Sequence, residues 1–352
     1  MKKISLLTLI TFIILGVNNL FAQNNSLNFN AEYTGDFLYN VGGLKNGGGY
    51  LGYAKIGMGA DLWQGASLYV GGGTTHGIVP TEMFIGDYQV VNNIEAGNYA
   101  FMEHLSLQQS FGRFSFKIGL QDMNENFASL DAAGEYVNSS FGIHPALSSN
   151  MSVAIFPLTG LGAEIHLDIN DNWHLQAAVY DGEIPSFEDN QYNLNWKINE
   201  EEGALFIGET QYINENGTYE IGAFYHTSEK KYGVYANMEQ EVWNNGTRNL
   251  KPFAQVSYAN GEMKCDNYFH LAAGLNLEGV FSKESNDMMG LAFTSVFLTD
   301  KKAETAVELF YQYQVTDNFV IKPDVQYVVN PAGMDFIVDN ALVGMLRFAI
   351  AL

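Results

Sequence analysis

The chain has a single cysteine, Cys265, among 352 residues. An exported protein of that kind forms no disulfide within itself, which excludes the small disulfide-stapled scaffolds. Positive charge is scarce too: 17 Lys and Arg stand against 39 Asp and Glu, a formal net charge of −22. Nucleic-acid partners are excluded on that ground, because phosphates are gripped by clustered Lys and Arg. Proline is sparse, with 7 in the chain. Beyond the N-terminal segment there is no apolar run of about 18 residues, so no transmembrane helix is expected. Enzyme signatures are missing as well: the sequence has no Gly-x-Ser-x-Gly, no phosphate loop and no His-Glu-x-x-His.

What is there begins with an export signal. Lys2 and Lys3 precede an apolar run from Ile4 to Val17, and Leu20-Phe21-Ala22 offers a cleavage site before Gln23. That pattern predicts a secretory signal peptide over residues 1–22. Gln23, not a cysteine, stands directly after the cleavage point, so a lipoprotein anchor is not expected. Loss of Lys2 and Lys3 with the signal takes the net charge from −22 to −24.

The rest of the chain, residues 23–352, reads as one domain of alternating strands. Phe319, Ile321, Val325, Tyr327 and Val329 are apolar and an even number apart, with Lys322, Asp324 and Gln326 between them. The segments Ala163 to Ile169, Trp173 to Val179, Phe269 to Leu277 and Leu342 to Leu352 repeat the pattern. Side chains on a strand alternate faces, so each segment has one apolar and one polar face. Strands of about ten residues, apolar outward and polar inward, suit a transmembrane barrel, and closure is required because hydrocarbon tolerates no open edge.

About sixteen strands are expected, beginning near Glu32, Tyr50, Ala66, Asn98, Arg113, Gly162, Trp173, Ala204, Gly217, Lys231, Leu250, Asn267, Asp287, Glu304, Phe319 and Leu342. Short turns such as Trp63-Gln64-Gly65 and Asn170-Asp171-Asn172 alternate with longer connections, among them Gly77 to Gly97 and Asp181 to Gly203, which would face outward. The longest, residues 124–161, follows the fifth strand, where an inward-folded constriction loop is expected.

Ordered segments then resemble the carbohydrate-selective porins of the OprB family. They include Tyr33-Thr34-Gly35-Asp36, Gly86-Asp87-Tyr88-Gln89, Gly119-Leu120-Gln121-Asp122, Asn138-Ser139-Ser140-Phe141-Gly142, Gln176 to Gly182, and Glu304-Thr305 through Gln326 to Pro331. Residues 193–286 carry little of the pattern. The resemblance implies a sixteen-stranded outer-membrane barrel of a Gram-negative bacterium that passes glucose and related sugars by facilitated diffusion. Its partners would be small carbohydrates and outer-membrane lipid, with homotrimers of the kind many porins form. No cofactor is implied.

A sugar channel needs aromatic faces and hydrogen-bonding groups in weak, repeated sites. The loop offers Phe127, Tyr136, Phe141 and Phe156, together with Asn124, Glu125, Asp131, Glu135, Asn138 and His144, and it has no Lys or Arg. Tyr136 and Glu135 are the favoured contacts, whereas Phe141 and Phe156 are expected to pin the loop. Alternation points Lys55, Arg113, Lys117, Lys322 and Arg347 inward, where most would neutralise wall carboxylates such as Asp61, Glu103 and Asp324. Glu125, Asp131, Glu135, Tyr136, Asn138, Arg113 and Lys117 are the candidate solute-binding set. Two other readings remain. One is a general or cation-preferring porin without a sugar site. The other is a barrel hydrolase using His104 with Ser106 or Ser110. His166 and His174 point inward from neighbouring strands, but a metal site needs three or four ligands and solvated histidines are the simpler reading.

Overall fold

The computed structural model describes residues 27–281, 287–334 and 338–352. The expected signal peptide over residues 1–22 lies outside them. Sixteen long strands follow one another: β1 (Leu27–Gly42), β2 (Gly47–Trp63), β3 (Ala66–Gly77), β4 (Tyr99–Phe111), β5 (Phe114–Gln121), β6 (Gly160–Asp168), β7 (Trp173–Asp181) and β8 (Ala204–Asn214). Then come β9 (Gly217–His226), β10 (Lys231–Gln240), β11 (Asn249–Gly261), β12 (Asn267–Glu278), β13 (Asp287–Leu298), β14 (Glu304–Thr316), β15 (Phe319–Val329) and β16 (Ala341–Ala351). A two-residue piece, Trp243–Asn244, lengthens the β10–β11 hairpin by pairing with Leu250 and Asn249.

Each strand pairs antiparallel with the next, and β1 pairs with both β2 and β16. The sheet is therefore closed, and no edge carries unpaired backbone into hydrocarbon. Closure is in register through pairs such as Asp36 with Arg347 and Tyr33 with Ile350. Strand β9 shows the logic. Glu220, Gly222, Phe224 and His226 are buried, whereas Ile221, Ala223 and Tyr225 between them are exposed. Ile221 is 70% exposed, a waste of apolar surface in water but the required arrangement against lipid.

Aromatics mark both rims. Trp63, Phe111 and Trp173 are exposed at the end with short turns, and Tyr39, Tyr232 and Tyr327 at the other. Rings of this kind sit at the two membrane–water interfaces. The Gln64-Gly65 turn needs its glycine: Gly65 has φ +77°, and a Cβ there would stand 2.5 Å from the Ser110 carbonyl oxygen. Among the described residues no helix is long and apolar enough to cross a membrane; the crossing is by strands.

Candidate functional site

The connection between β5 and β6 folds into short helical turns, Met123–Glu125, Asp131–Gly134, Ser139–Gly142 and Pro145–Ser148. Local chemistry sets them. The Asp122 carboxylate accepts from the Asn124 amide at 2.8 Å, the Asn138 side chain accepts from the Ser140 amide at 3.0 Å, and Pro145 opens the last turn. The wall side chains this segment meets all lie on the buried, polar face of their strands. Asn126 donates to Glu164 of β6 at 2.8 Å, the Ala128 amide to Glu209 of β8 at 3.0 Å, and the Ala132 amide to Glu239 of β10 at 2.7 Å. The Val137 and Asn138 amides donate to Glu308 of β14 at 2.6 and 2.9 Å. Phe127, Ile143, Leu147 and Met151 complete an apolar cluster with Tyr180, Leu205, Phe224 and Tyr235 of the wall.

A second connection does the same. In the connection expected from Gly77 to Gly97, Asn92 donates to Asp36 at 2.7 Å, Arg347 donates to Asn93 at 2.8 Å, and Gln326 donates to the Val91 carbonyl at 2.9 Å. The Tyr88 and Gln89 amides donate to Glu304 at 2.7 and 2.9 Å. The two segments also meet, the Ser139 amide donating to Val90 O at 2.9 Å. Sequence shows the length of a connection, not the far acceptors that draw it to the wall.

Beside the first of these contacts, Asn126 with Glu164, stands a charged cluster. Glu125 lies 3.4 Å from Lys117, 3.8 Å from Lys55 and 3.5 Å from His104, and Lys55 lies 3.7 Å from Glu103. Most of these separations exceed hydrogen-bond reach, so the charges are near but loosely tied. The Glu125 side chain is 38% exposed. Just above, the Tyr53 hydroxyl donates to Glu103 at 2.5 Å, and its ring meets Phe156 edge-on with centroids 4.9 Å apart. An acid, two bases and two aromatic rings thus stand together, each partly exposed.

The candidate residues divide. Glu125 and Lys117 come together. Glu135 meets Lys322 instead, which donates to its carbonyl at 2.5 Å and stands 3.4 Å from its carboxylate. Asp131 is exposed at the start of its helical turn. Asn138 is 1% exposed and occupied by Ser140, Glu308 and Gln326. Tyr136 does not fit a solute contact. It is buried against Phe141, Phe253 and Phe310, and its hydroxyl donates to Leu275 O at 3.1 Å. Arg113 is not brought to the cluster: it sits beyond the start of β5, in the turn, donating to Ile169 O at 2.7 Å. Arg347 is committed to Asp36 at 2.8 Å.

The histidines are occupied separately. His166 bonds Gln176 and Glu164, and His174 bonds Asp168. Among the described residues no three His, Cys, Asp or Glu are grouped to hold a metal. His144, reached by Asn237 at 2.8 Å and His270 at 3.2 Å, is held down to about 4 by burial, against the pull of the Asn237 bond. Burial pushes Asp122 up to about 7, with Glu125 and Glu103 adding to the effect and the amides of Phe156 and Asn124 opposing it. Sequence reading passed over Tyr53 and the amide-binding glutamates. An inward glutamate reads simply as a polar wall residue until its partner is seen.

The family described as "Carbohydrate-selective porin, OprB family" matches residues 45–231 and 228–352. Porin B of Pseudomonas aeruginosa is 23% identical over 305 residues, which cover 69% of this chain and 64% of that protein's length. A high-pH structure of Pseudomonas putida OprB superposes with a TM-score of 0.81 at 18% identity, covering 93% of this chain and 94% of that one. An anion-selective porin from Comamonas acidovorans gives 0.61 at 9% identity, covering 94% and 100%. At such identities the structural likeness establishes the fold.

Proposed function

Because the chain belongs to the carbohydrate-selective porins of the OprB family, an outer-membrane family, we propose that it passes small carbohydrates such as glucose across that membrane by facilitated, passive diffusion. The observation that carries the reading is the cluster of Glu125 on the loop against Lys55 and Lys117 on the wall, beside Tyr53 and Phe156. The segment from Asn124 to Leu161 acts as the inward-folded constriction loop. Solute is sorted by size, then held weakly by hydroxyl exchange with the acid–base pair and by stacking on the rings. Weak, repeated sites let it leave as readily as it enters. Family and fold point to a channel rather than an enzyme. His104 and Ser106 are 2% and 5% exposed, which does not suit a base and nucleophile that must meet a substrate. Residues 1–22 direct export.

The test is single-channel conductance in a planar bilayer with glucose and maltooligosaccharides titrated in. Concentration-dependent block at millimolar sugar is expected, weakened by Glu125→Gln. Conductance without block would replace this reading with a general, cation-preferring porin. That second reading draws on the exposed carboxylates Glu32, Asp61 and Asp168 on the lumen face.

We further propose a homotrimer packed through β1 to β4. Their outward positions carry the small residues Ala31, Gly35, Gly52, Ala54, Gly72 and Ala100, set among the exposed Phe29, Phe37 and Ile56. Sedimentation of the detergent-solubilised protein would give three chains per particle; a monomer would sink the proposal.

A further inference from the structure

Three glutamates on separate strands grip the backbone of one loop. Glu209 accepts the Ala128 amide, Glu239 the Ala132 amide, and Glu308 the amides of Val137 and Asn138 with its two oxygens. Their exposures are 4%, 5% and 0%. A fourth, Glu304, holds the Tyr88 and Gln89 amides of the neighbouring connection in the same way.

The chemistry follows from the loop's local structure. Helical turns of four residues leave their first amides without partners inside the turn. The Ala132 amide belongs to the turn Asp131–Gly134, and the amides of Val137 and Asn138 immediately precede Ser139–Gly142. Buried amides must find acceptors, and a carboxylate is the strongest that a wall can offer. Ala128 adds a constraint. Its φ of +58° is left-handed, a conformation a non-glycine residue keeps only when its surroundings hold it. Glu209 is itself fixed, accepting from Tyr235 at 2.6 Å and Gln211 at 2.8 Å.

We propose that Glu209, Glu239 and Glu308 are specificity-determining positioning residues: they set how far residues 128–138 stand from the wall, and so fix the width of the passage beside Glu125. The inference rests on residues 124–161 acting as the constriction, but not on the solute being a sugar. The three residues touch backbone rather than solute, so their effect falls on the size cutoff and not on any one hydroxyl contact.

The experiment is polymer exclusion from single channels. The intact full-length protein, Glu308→Gln, Glu239→Gln and Glu308→Asp are reconstituted in planar bilayers. Conductance is read while polyethylene glycols of increasing size are added. Glu308→Gln leaves one carbonyl to serve two amides and sets an amide group against an N–H donor. The expected result is higher conductance, a cutoff shifted to larger polymers, and noisier open channels. Glu308→Asp keeps the charge and both oxygens on a shorter arm. Its cutoff should shift while its noise stays low, which covers the case that the Gln variants fail to fold. Unchanged cutoff and noise in folded, heat-modifiable variants would overturn the proposal, as would a change in folding yield alone. Glucose block measured on the same channels separates the two readings. Loss of block with an unmoved cutoff counts against the positioning role, whereas a moved cutoff in a channel never blocked by sugar counts against the sugar reading only.

Discussion

Lys117 places its ammonium 3.4 Å from Glu125 with 12% of its side chain exposed. A pair of this kind contributes at most about 1 kcal/mol to stability, so its removal should leave the barrel intact. Its weight is in the field across a narrow passage, where lining charges decide which ions enter. Lys117→Ala would leave Glu125 with Lys55 and His104 and raise cation preference. Glu125→Gln would lower it. Reversal potentials in a KCl gradient should move in opposite directions for the two variants, and movement in the same direction would contradict the assigned geometry. Tyr136 supplies a contrasting case. Tyr136→Phe removes one hydrogen bond, a loss of about 0.5–1.5 kcal/mol. Tyr136→Ala empties the site among Phe141, Phe253 and Phe310, a loss of about 3–5 kcal/mol. Proteolysis of the loop should therefore accelerate strongly for the Ala variant and little for the Phe variant.

Strand register allows a sharper test. In β16, Leu346 pairs with Phe37 and Pro323 and is 44% exposed on the lipid side. Ala349, three residues on, pairs with Thr34 and Val320 and faces the lumen with Arg347. Arginine facing lipid costs about 2–4 kcal/mol at the midplane. Leu346→Arg should lose the folded band in a heat-modifiability gel, and Ala349→Arg should keep it; equal behaviour would refute the register. The strands were legible in the sequence because alternation is a local signal, and their starts fall close to those expected. Arg113 shows where that signal stops. Alternation was extended one residue past the strand, which begins at Phe114, into a turn where it assigns no direction. The loop contacts were not legible for a different reason. The Val137 amide and Glu308 are 171 positions apart, and Gln89 and Glu304 are 215 apart. No periodicity within a segment reports an acceptor so distant.

At the scale of the whole molecule, the acidity of a chain with net charge −22 becomes a question of which loop carboxyls hold protons. Burial pushes Glu95 up to about 8, Asp122 to about 7 and Asp87 to about 6. In a loop released to solvent each would return to its ordinary value, near 4. A raised carboxyl binds its proton more tightly in the packed state. Packing is therefore favoured once the pH falls below the raised value, by up to about 1.4 kcal/mol per group for each unit, and that advantage is lost as pH rises through it. His144 has the opposite sign. Burial holds it near 4, so a released loop takes up a proton from about 6.5 downward and the packed form loses ground. The two effects separate between pH 8 and 6.5, where Glu95 and Asp122 act and His144 does not. Over that window the packed loops should gain and conductance should fall as the solution is acidified. Asp122→Asn should flatten the part of the curve near 7 while keeping an acceptor for one of the amides of Asn124 and Phe156. A variant with Gln in place of His144 should differ from the parent below 6.5 and match it above. Conductance that rises on going from pH 8 to 6.5, or an Asp122→Asn channel with an unchanged profile, would mean that these carboxyls do not govern loop packing.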